Sequence, residues 1–261
     1  MALNEALQEF SIEGKAALVI GAELPLGAAA AQIMAEAGAN VVLASQEPGT
    51  GDELKDLAKK IGALGRKAVV RIQSAVTRAD LSASVDLTIK ELGSLDIAIN
   101  ALDVPFFAPA EATDDIAFEK VIENNLKTVW TACQEAGRTM AQRGGGAIVN
   151  IVSIMAERGV PNASLYTAAQ AAVLSLTRSL ALEWARKGVR VNAVEMGWVE
   201  DQRSPAVKDE KFSQSLIKYL PEQRLMKPQE MGGALLYLVS PAAAYVTGQS
   251  VAIDGGLLCR V

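Results

Sequence analysis

Seven short apolar runs alternate along the chain with longer amphipathic stretches, and most of the runs end at glycine or a polar residue. Runs of four to eight apolar residues suit strands buried on both faces. When helix-length segments separate them, the arrangement that buries everything is a parallel sheet with helices on both sides. The strand candidates are Ala16–Ile20, Asn40–Leu43, Ala68–Ile72, Ile97–Asn100, Ala147–Val152, Arg190–Val194 and Ser250–Ile253. Helices are expected over Gly27–Ala37, Asp52–Leu64, Ala79–Leu92, Ala117–Arg143 with breaks, Ser164–Arg186 and Gln229–Leu238. Half of the 261 residues are hydrophobic, and no repeat or linker interrupts them. The expectation is therefore one α/β domain over residues 1–261, a doubly wound, Rossmann-like fold with a seven-stranded parallel sheet. The first run feeds through Gly21 into a turn at the carboxyl edge, where such sheets hold their ligands.

Charge and composition narrow the partners. The net charge is −5, from 25 basic and 30 acidic residues, and no block of Lys or Arg offers a surface to nucleic acid or an anionic membrane. Small molecules or proteins are the expected partners. With no histidine and only Cys133 and Cys259, a histidine triad and a histidine-ligated metal site are excluded, a disulfide scaffold is disfavoured, and no metal is expected. No apolar stretch is long and uncharged enough for a membrane span. Met1 to Lys15 carries Glu5, Glu9 and Glu13 without the basic and apolar regions of a signal peptide, so the cytoplasm is the expected location.

The segment Ile148-Val149-Asn150-Ile151-Val152-Ser153, then Tyr166, then Ala181-Leu182-Glu183 and Val189-Arg190-Val191-Asn192-Ala193-Val194, resembles the catalytic half of the short-chain dehydrogenases/reductases. The resemblance runs along nearly the whole chain and includes Asp96 and the terminal Gly248-Gln249-Ser250 and Asp254-Gly255-Gly256. It implies that Ser153 positions a carbonyl or alcohol, that Tyr166 carries the proton, and that Asn125 supports a relay water. Asn125 also reads as a helix-kink hydrogen bond. The family's lysine, four residues after the tyrosine, holds the nicotinamide ribose and acidifies the phenol, whose free pKa is about 10. Here that residue is Gln170, which hydrogen-bonds but carries no charge and reads as altered or vestigial.

The nucleotide-binding landmarks depart from the same pattern. The phosphate loop stands as Ile20-Gly21-Ala22-Glu23-Leu24-Pro25-Leu26-Gly27, with Pro25 replacing a glycine whose amide faces pyrophosphate, and with Glu23 adding an anion. The second strand runs into Ala44-Ser45-Gln46-Glu47, where Glu47 is a displaced candidate for the ribose acceptor. Ala75-Val76-Thr77 lacks the aspartate that meets adenine, and Asn100-Ala101-Leu102-Asp103 replaces an Asn-Asn-Ala-Gly segment. Met196-Gly197 stands for Pro-Gly, and Asp201 lies where a threonine would hold the carboxamide. Gly21, Pro25, Gly27 and Asn100 thus mark a degraded NAD(P) site. No tightly bound cofactor is expected, with NAD or NADP used if the chain is active.

Three functions follow. The first is a non-catalytic pseudoenzyme subunit paired with an active homologue. The resemblance here is to the inactive subunit of heteromeric short-chain dehydrogenases, such as the hydroxybenzyl-succinyl-CoA dehydrogenase of anaerobic toluene degradation. The Tyr166 helix, apolar on nearly every side, and the family's habit of dimerising through it imply a homo- or hetero-oligomer. The alternatives are an active NAD(P)-dependent oxidoreductase on a hydroxy or keto substrate, and a cofactor-independent Ser-Tyr lyase or dehalogenase-like enzyme. The segment from Trp198 to Leu225 mixes charges with apolar residues and reads as a solvated face.

Overall fold

The structure, a computed structural model, describes residues 7–73, 77–201 and 205–260, with the side chains of residues 205 and 206 left aside. Seven strands, β1 Ala16–Ile20, β2 Asn40–Ser45, β3 Ala68–Ile72, β4 Ile97–Asn100, β5 Gly146–Ser153, β6 Val189–Met196 and β7 Ser250–Ile253, form one sheet in the order β3-β2-β1-β4-β5-β6-β7. Every pairing is parallel. The strand order reverses between β1 and β4, and this switch point opens a crevice at their carboxyl ends.

Each central strand serves two cores because successive side chains point to opposite faces. In β1, Ala17 and Val19 pack under α1 (Pro25–Glu36) and α2 (Gly51–Ala63), while Leu18 and Ile20 join the core on the other face. That second core is built by α3 (Arg78–Leu92), α5 (Thr128–Arg143) and α6 (Ser164–Trp184). Gly137 on α5 packs closely here: a Cβ would lie 2.2 Å from the Trp184 ring. The other helices are α4 (Asp115–Ile122), α7 (Glu210–Tyr219) and α8 (Gly232–Val239), with one further helical turn at Pro205–Lys208.

Several boundaries differ from expectation for identifiable reasons. Helix α1 begins at Pro25 rather than Gly27, since a proline's fixed φ suits the first helical position and its missing amide would be unpaired there anyway. The stretch after Ala117 divides into α4, a π turn over Glu123–Lys127, and α5. The segment expected at Gln229–Leu238 is a 3-10 turn, Pro228–Met231, followed by α8. The mixed-charge segment after Trp198 contains α7, whose Leu216 packs with Ile154, Leu220 and Leu257 in a third small core. Landmark polar residues brace the frame. Asp96 accepts the Ala16 amide at 2.9 Å, Arg190 donates to the Leu238 carbonyl at 2.7 Å, and Asn192 accepts the Gln249 amide at 3.0 Å.

Candidate active site

The crevice at the switch point is a cavity of about 120 Å³. Leu24, just before α1, and Pro25 and Leu26 in its first turn line the cavity together with Ser153 and Tyr166. Ser153 ends β5, and its hydroxyl accepts the Met155 amide at 3.3 Å. Tyr166 lies in the first turn of α6 and is almost fully buried. The serine and tyrosine singled out by the family resemblance thus meet at one cleft.

Gln170 sits one helical turn beyond Tyr166 and is 1% exposed. Its carbonyl oxygen accepts the Ser153 amide at 3.0 Å, while its Nε2 donates to Asp103 Oδ1 at 3.2 Å and approaches Asn125 Oδ1 at 3.4 Å. The Tyr166 hydroxyl donates to the same Asp103 oxygen. Where a lysine would place a cation beside the phenol, Gln170 and Asp103 place an amide and a carboxyl. Burial, followed by the charge and hydrogen bond of Asp103, holds the Tyr166 phenol well above its ordinary value, while a bond from Ser153 pulls the other way. Burial is also the main reason the Asp103 carboxyl is pushed up to about 6; Asp201 adds to the rise, and the bond from Tyr166 opposes it.

Asn125 belongs to the π turn. Its Nδ2 donates to the carbonyls of Val121 and Val104, both at 3.1 Å, and its Oδ1 accepts the Val104 amide at 2.9 Å. The side chain therefore ties the strand β4 exit loop to the π turn, directly behind Asp103. Asn100 faces away from the cleft: its Nδ2 donates to Asn150 Oδ1 at 2.8 Å and to Cys133 Sγ at 3.2 Å inside the core. Gly21 makes the turn out of β1 at φ 82°, and a Cβ there would strike the Ala101 carbonyl at 2.5 Å. Gly27 is packed so closely on Gly21 that a Cβ would lie 2.0 Å from the Gly21 oxygen. The loop has the tight closure of a phosphate loop, with Pro25 at the mouth of the helix. Ala75 lies outside the described residues.

Two features were not apparent from the sequence. Asp103 and Tyr166 are 63 residues apart, and only the folded sheet brings them together. Glu23 reaches from the β1–α1 loop to the tip of β2, where its Oε1 accepts the Gln46 amide at 3.0 Å. Glu23 thus brings a buried carboxylate to the strand tip, whereas Glu47 is exposed. Arg71, on the neighbouring strand, is turned toward Asp80 at 3.8 Å. Among the described residues no Lys or Arg lines the cleft, and no group of three or more His, Cys, Asp or Glu could hold a metal. None of the described helices is long and apolar enough to cross a membrane.

The family model described as enoyl-(acyl carrier protein) reductase matches residues 21–258. The chain is a short-chain dehydrogenase/reductase. Among relatives of this short-chain family, the 2-dehydro-3-deoxy-D-gluconate 5-dehydrogenase of Dickeya dadantii is 31% identical over 257 residues, covering 97% of this chain and 99% of its own. The cis-4-hydroxycyclohexanecarboxylate dehydrogenase of Sinomonas cyclohexanicum is 36% identical over 244 residues, covering 93% and 96%. A solved gluconate 5-dehydrogenase of Burkholderia cenocepacia, in complex with NADP and tartrate, superposes with a TM-score of 0.90 at 31% identity, covering 98% of this chain and 100% of that one. The chain superposes on that structure over 98% of its length as one seven-stranded Rossmann-like domain.

Proposed function

We propose that this short-chain dehydrogenase/reductase is an oxidoreductase that interconverts a hydroxyl and a keto group with a nicotinamide dinucleotide. The carrying observation is the convergence of Ser153 and Tyr166 on one cleft, with Asn125 behind it, in a chain alignable end to end with named dehydrogenases. This favours the active alternative over the pseudoenzyme reading taken from motif losses.

The residues present fit the cofactor. Pro25 removes an amide, but the first turn of α1 leaves several amides unpaired, and those of Leu26 and Gly27 remain to meet a pyrophosphate at the mouth of the cleft. Asp103 lines the cleft and offers an acceptor to the nicotinamide ribose. Glu23 puts a carboxylate at the tip of β2, which suits a free ribose 2′-hydroxyl and repels a 2′-phosphate, so NAD is the favoured form. When bound, the nicotinamide supplies or takes the hydride.

The chain's own residues do the rest. The Ser153 hydroxyl orients the substrate oxygen, and the Tyr166 hydroxyl gives or takes its proton. Phe107, Met155, Trp198 and Leu24 form apolar walls that exclude water. The carboxyl groups of Asp103 and Asp201, with no basic lining residue among those described, disfavour an anionic substrate and point to a small neutral one.

A second reading is kept alive by Gln170 and Asp103: the chain is a non-catalytic subunit that supports an active homologue. Leu182 on α6, 82% exposed, and Trp130 on α5, 41% exposed, support assembly with a second copy or a homologous subunit. Titration with NADH and NADPH, followed by turnover assays on neutral hydroxy and keto compounds, separates the readings. Binding and turnover support the enzyme, and absence of both supports the subunit.

A further inference from the structure

Asp103 is a half-buried titratable group for which the family pattern has no counterpart. Its Oδ1 receives both the Tyr166 hydroxyl and Gln170 Nε2, so the phenol meets a carboxyl where the family pattern supplies a cation. Gln170 cannot exchange protons. Asn125, facing the same group, is likewise neutral, and Asp201 is the other charged group acting on it. Asp103 itself is half-buried and lines the cleft, so its carboxyl is in reach of solvent through the cavity mouth.

Resting on the oxidoreductase reading above, we propose that Asp103 is the proton store of Tyr166, exchanging one proton with the phenol at each turnover in place of the relay that a lysine would organise. In reduction, the Tyr166 O–H bond breaks as its proton passes to the carbonyl oxygen of the substrate, while the carbonyl carbon takes the hydride that a reduced nicotinamide would supply and the C=O π pair moves to the oxygen. The Asp103 carboxyl then gives its proton to the tyrosinate and is reloaded from solvent. Oxidation runs the same transfers backward: Tyr166 takes the alcohol's proton while its own passes to the Asp103 carboxylate. Two adjacent anions, tyrosinate beside carboxylate, are thereby avoided in both directions. Asp103 acts through Tyr166 and is a positioning and proton-holding residue.

The sign of the pH dependence follows. Reduction needs Asp103 protonated, so kcat/KM falls about tenfold per pH unit once the carboxyl is ionised, from about 6 upward. Oxidation needs the carboxylate, rises through the same value and is flat above it. The test compares wild type, Asp103→Asn and Asp103→Glu in both directions from pH 5 to 9. In addition, phenol ionisation is followed by ultraviolet absorbance in the cofactor-free protein, with Tyr166→Phe as reference. We expect Asp103→Asn to lose the limb near 6 in both directions, Asp103→Glu to restore it, and the Tyr166 phenol to ionise at lower pH in Asp103→Asn than in wild type. An Asp103→Asn profile that superposes on wild type, or a Tyr166 ionisation unmoved by that change, overturns the proton store while leaving the oxidoreductase reading intact. A wild-type protein that binds no dinucleotide and turns nothing over overturns both.

Discussion

Replacing Asp103 by Asn should make the protein more stable at neutral pH and leave it little changed in acid. The Asp103 carboxyl is raised from 3.8 to about 6 in the fold, chiefly by burial. A carboxyl raised on folding binds its proton more tightly in the native state, so its contribution is fully present below about 4 and is lost as pH rises through about 6. A shift of about 2 units corresponds to about 3 kcal/mol lost by neutral pH, because each unit is worth about 1.4 kcal/mol. Asparagine has nearly the same shape and no charge, and its carbonyl oxygen can accept both the Tyr166 hydroxyl and Gln170 Nε2. The stability of Asp103→Asn relative to wild type should therefore grow by about 2 kcal/mol between pH 4.5 and pH 8, which is about 4–8 °C in Tm for a chain of this size. Urea unfolding of both proteins at several pH values reads this directly. A difference that stays constant with pH, or an Asp103→Asn protein less stable than wild type at pH 8, refutes the burial of an ionisable carboxyl at this position.

Gln170→Lys would place an ammonium about 3 Å from Asp103 Oδ1, an attraction on the order of 5 kcal/mol at an effective dielectric near 20, so the pH limb near 6 should move below pH 5 in rate profiles. The same change takes the acceptor from the Ser153 amide and should cost about 1–3 kcal/mol in urea unfolding. Gly137→Ala drives a methyl into the Trp184 ring and should destabilise the fold by about 1–3 kcal/mol in the same assay, without altering dinucleotide affinity. Leu182→Asp, at a side chain 82% exposed in the single subunit, should leave Tm of the monomer unchanged and, on the proposal that this face assembles, lower the mass seen in light scattering; a mass equal to that of wild type removes this face from assembly.

The sheet was legible because its strands are buried on both faces and so appear as short unbroken apolar runs. Val19 and Leu18 serve opposite cores, yet both must be apolar. Ser153 and Tyr166 are legible through the resemblance to the family's motif, and the end of β5 and the first turn of α6 bring them to one cleft. Asp103 was visible only as an unexpected carboxylate after β4; its bond to Tyr166 depends on β4 and β5 lying side by side, which local pattern does not encode. Asn100 was expected at the cofactor and instead binds Asn150 across that same pair of strands, because its side chain falls on the core face of β4. In the sequence Glu23 is an anion in the phosphate loop; the fold carries it to the Gln46 amide, where its carboxylate suits the ribose of NAD.

The most direct test of the central claim is calorimetric titration of the purified protein with NADH and NADPH, coupled to single-turnover assays of the Ser153→Ala and Tyr166→Phe variants. We expect NADH to bind with a dissociation constant in the micromolar range, about 7–8 kcal/mol, NADPH to bind more weakly, and Tyr166→Phe to retain binding while losing about 10²–10⁴-fold in turnover. No heat from either nucleotide at millimolar concentration would contradict an oxidoreductase and support the non-catalytic subunit.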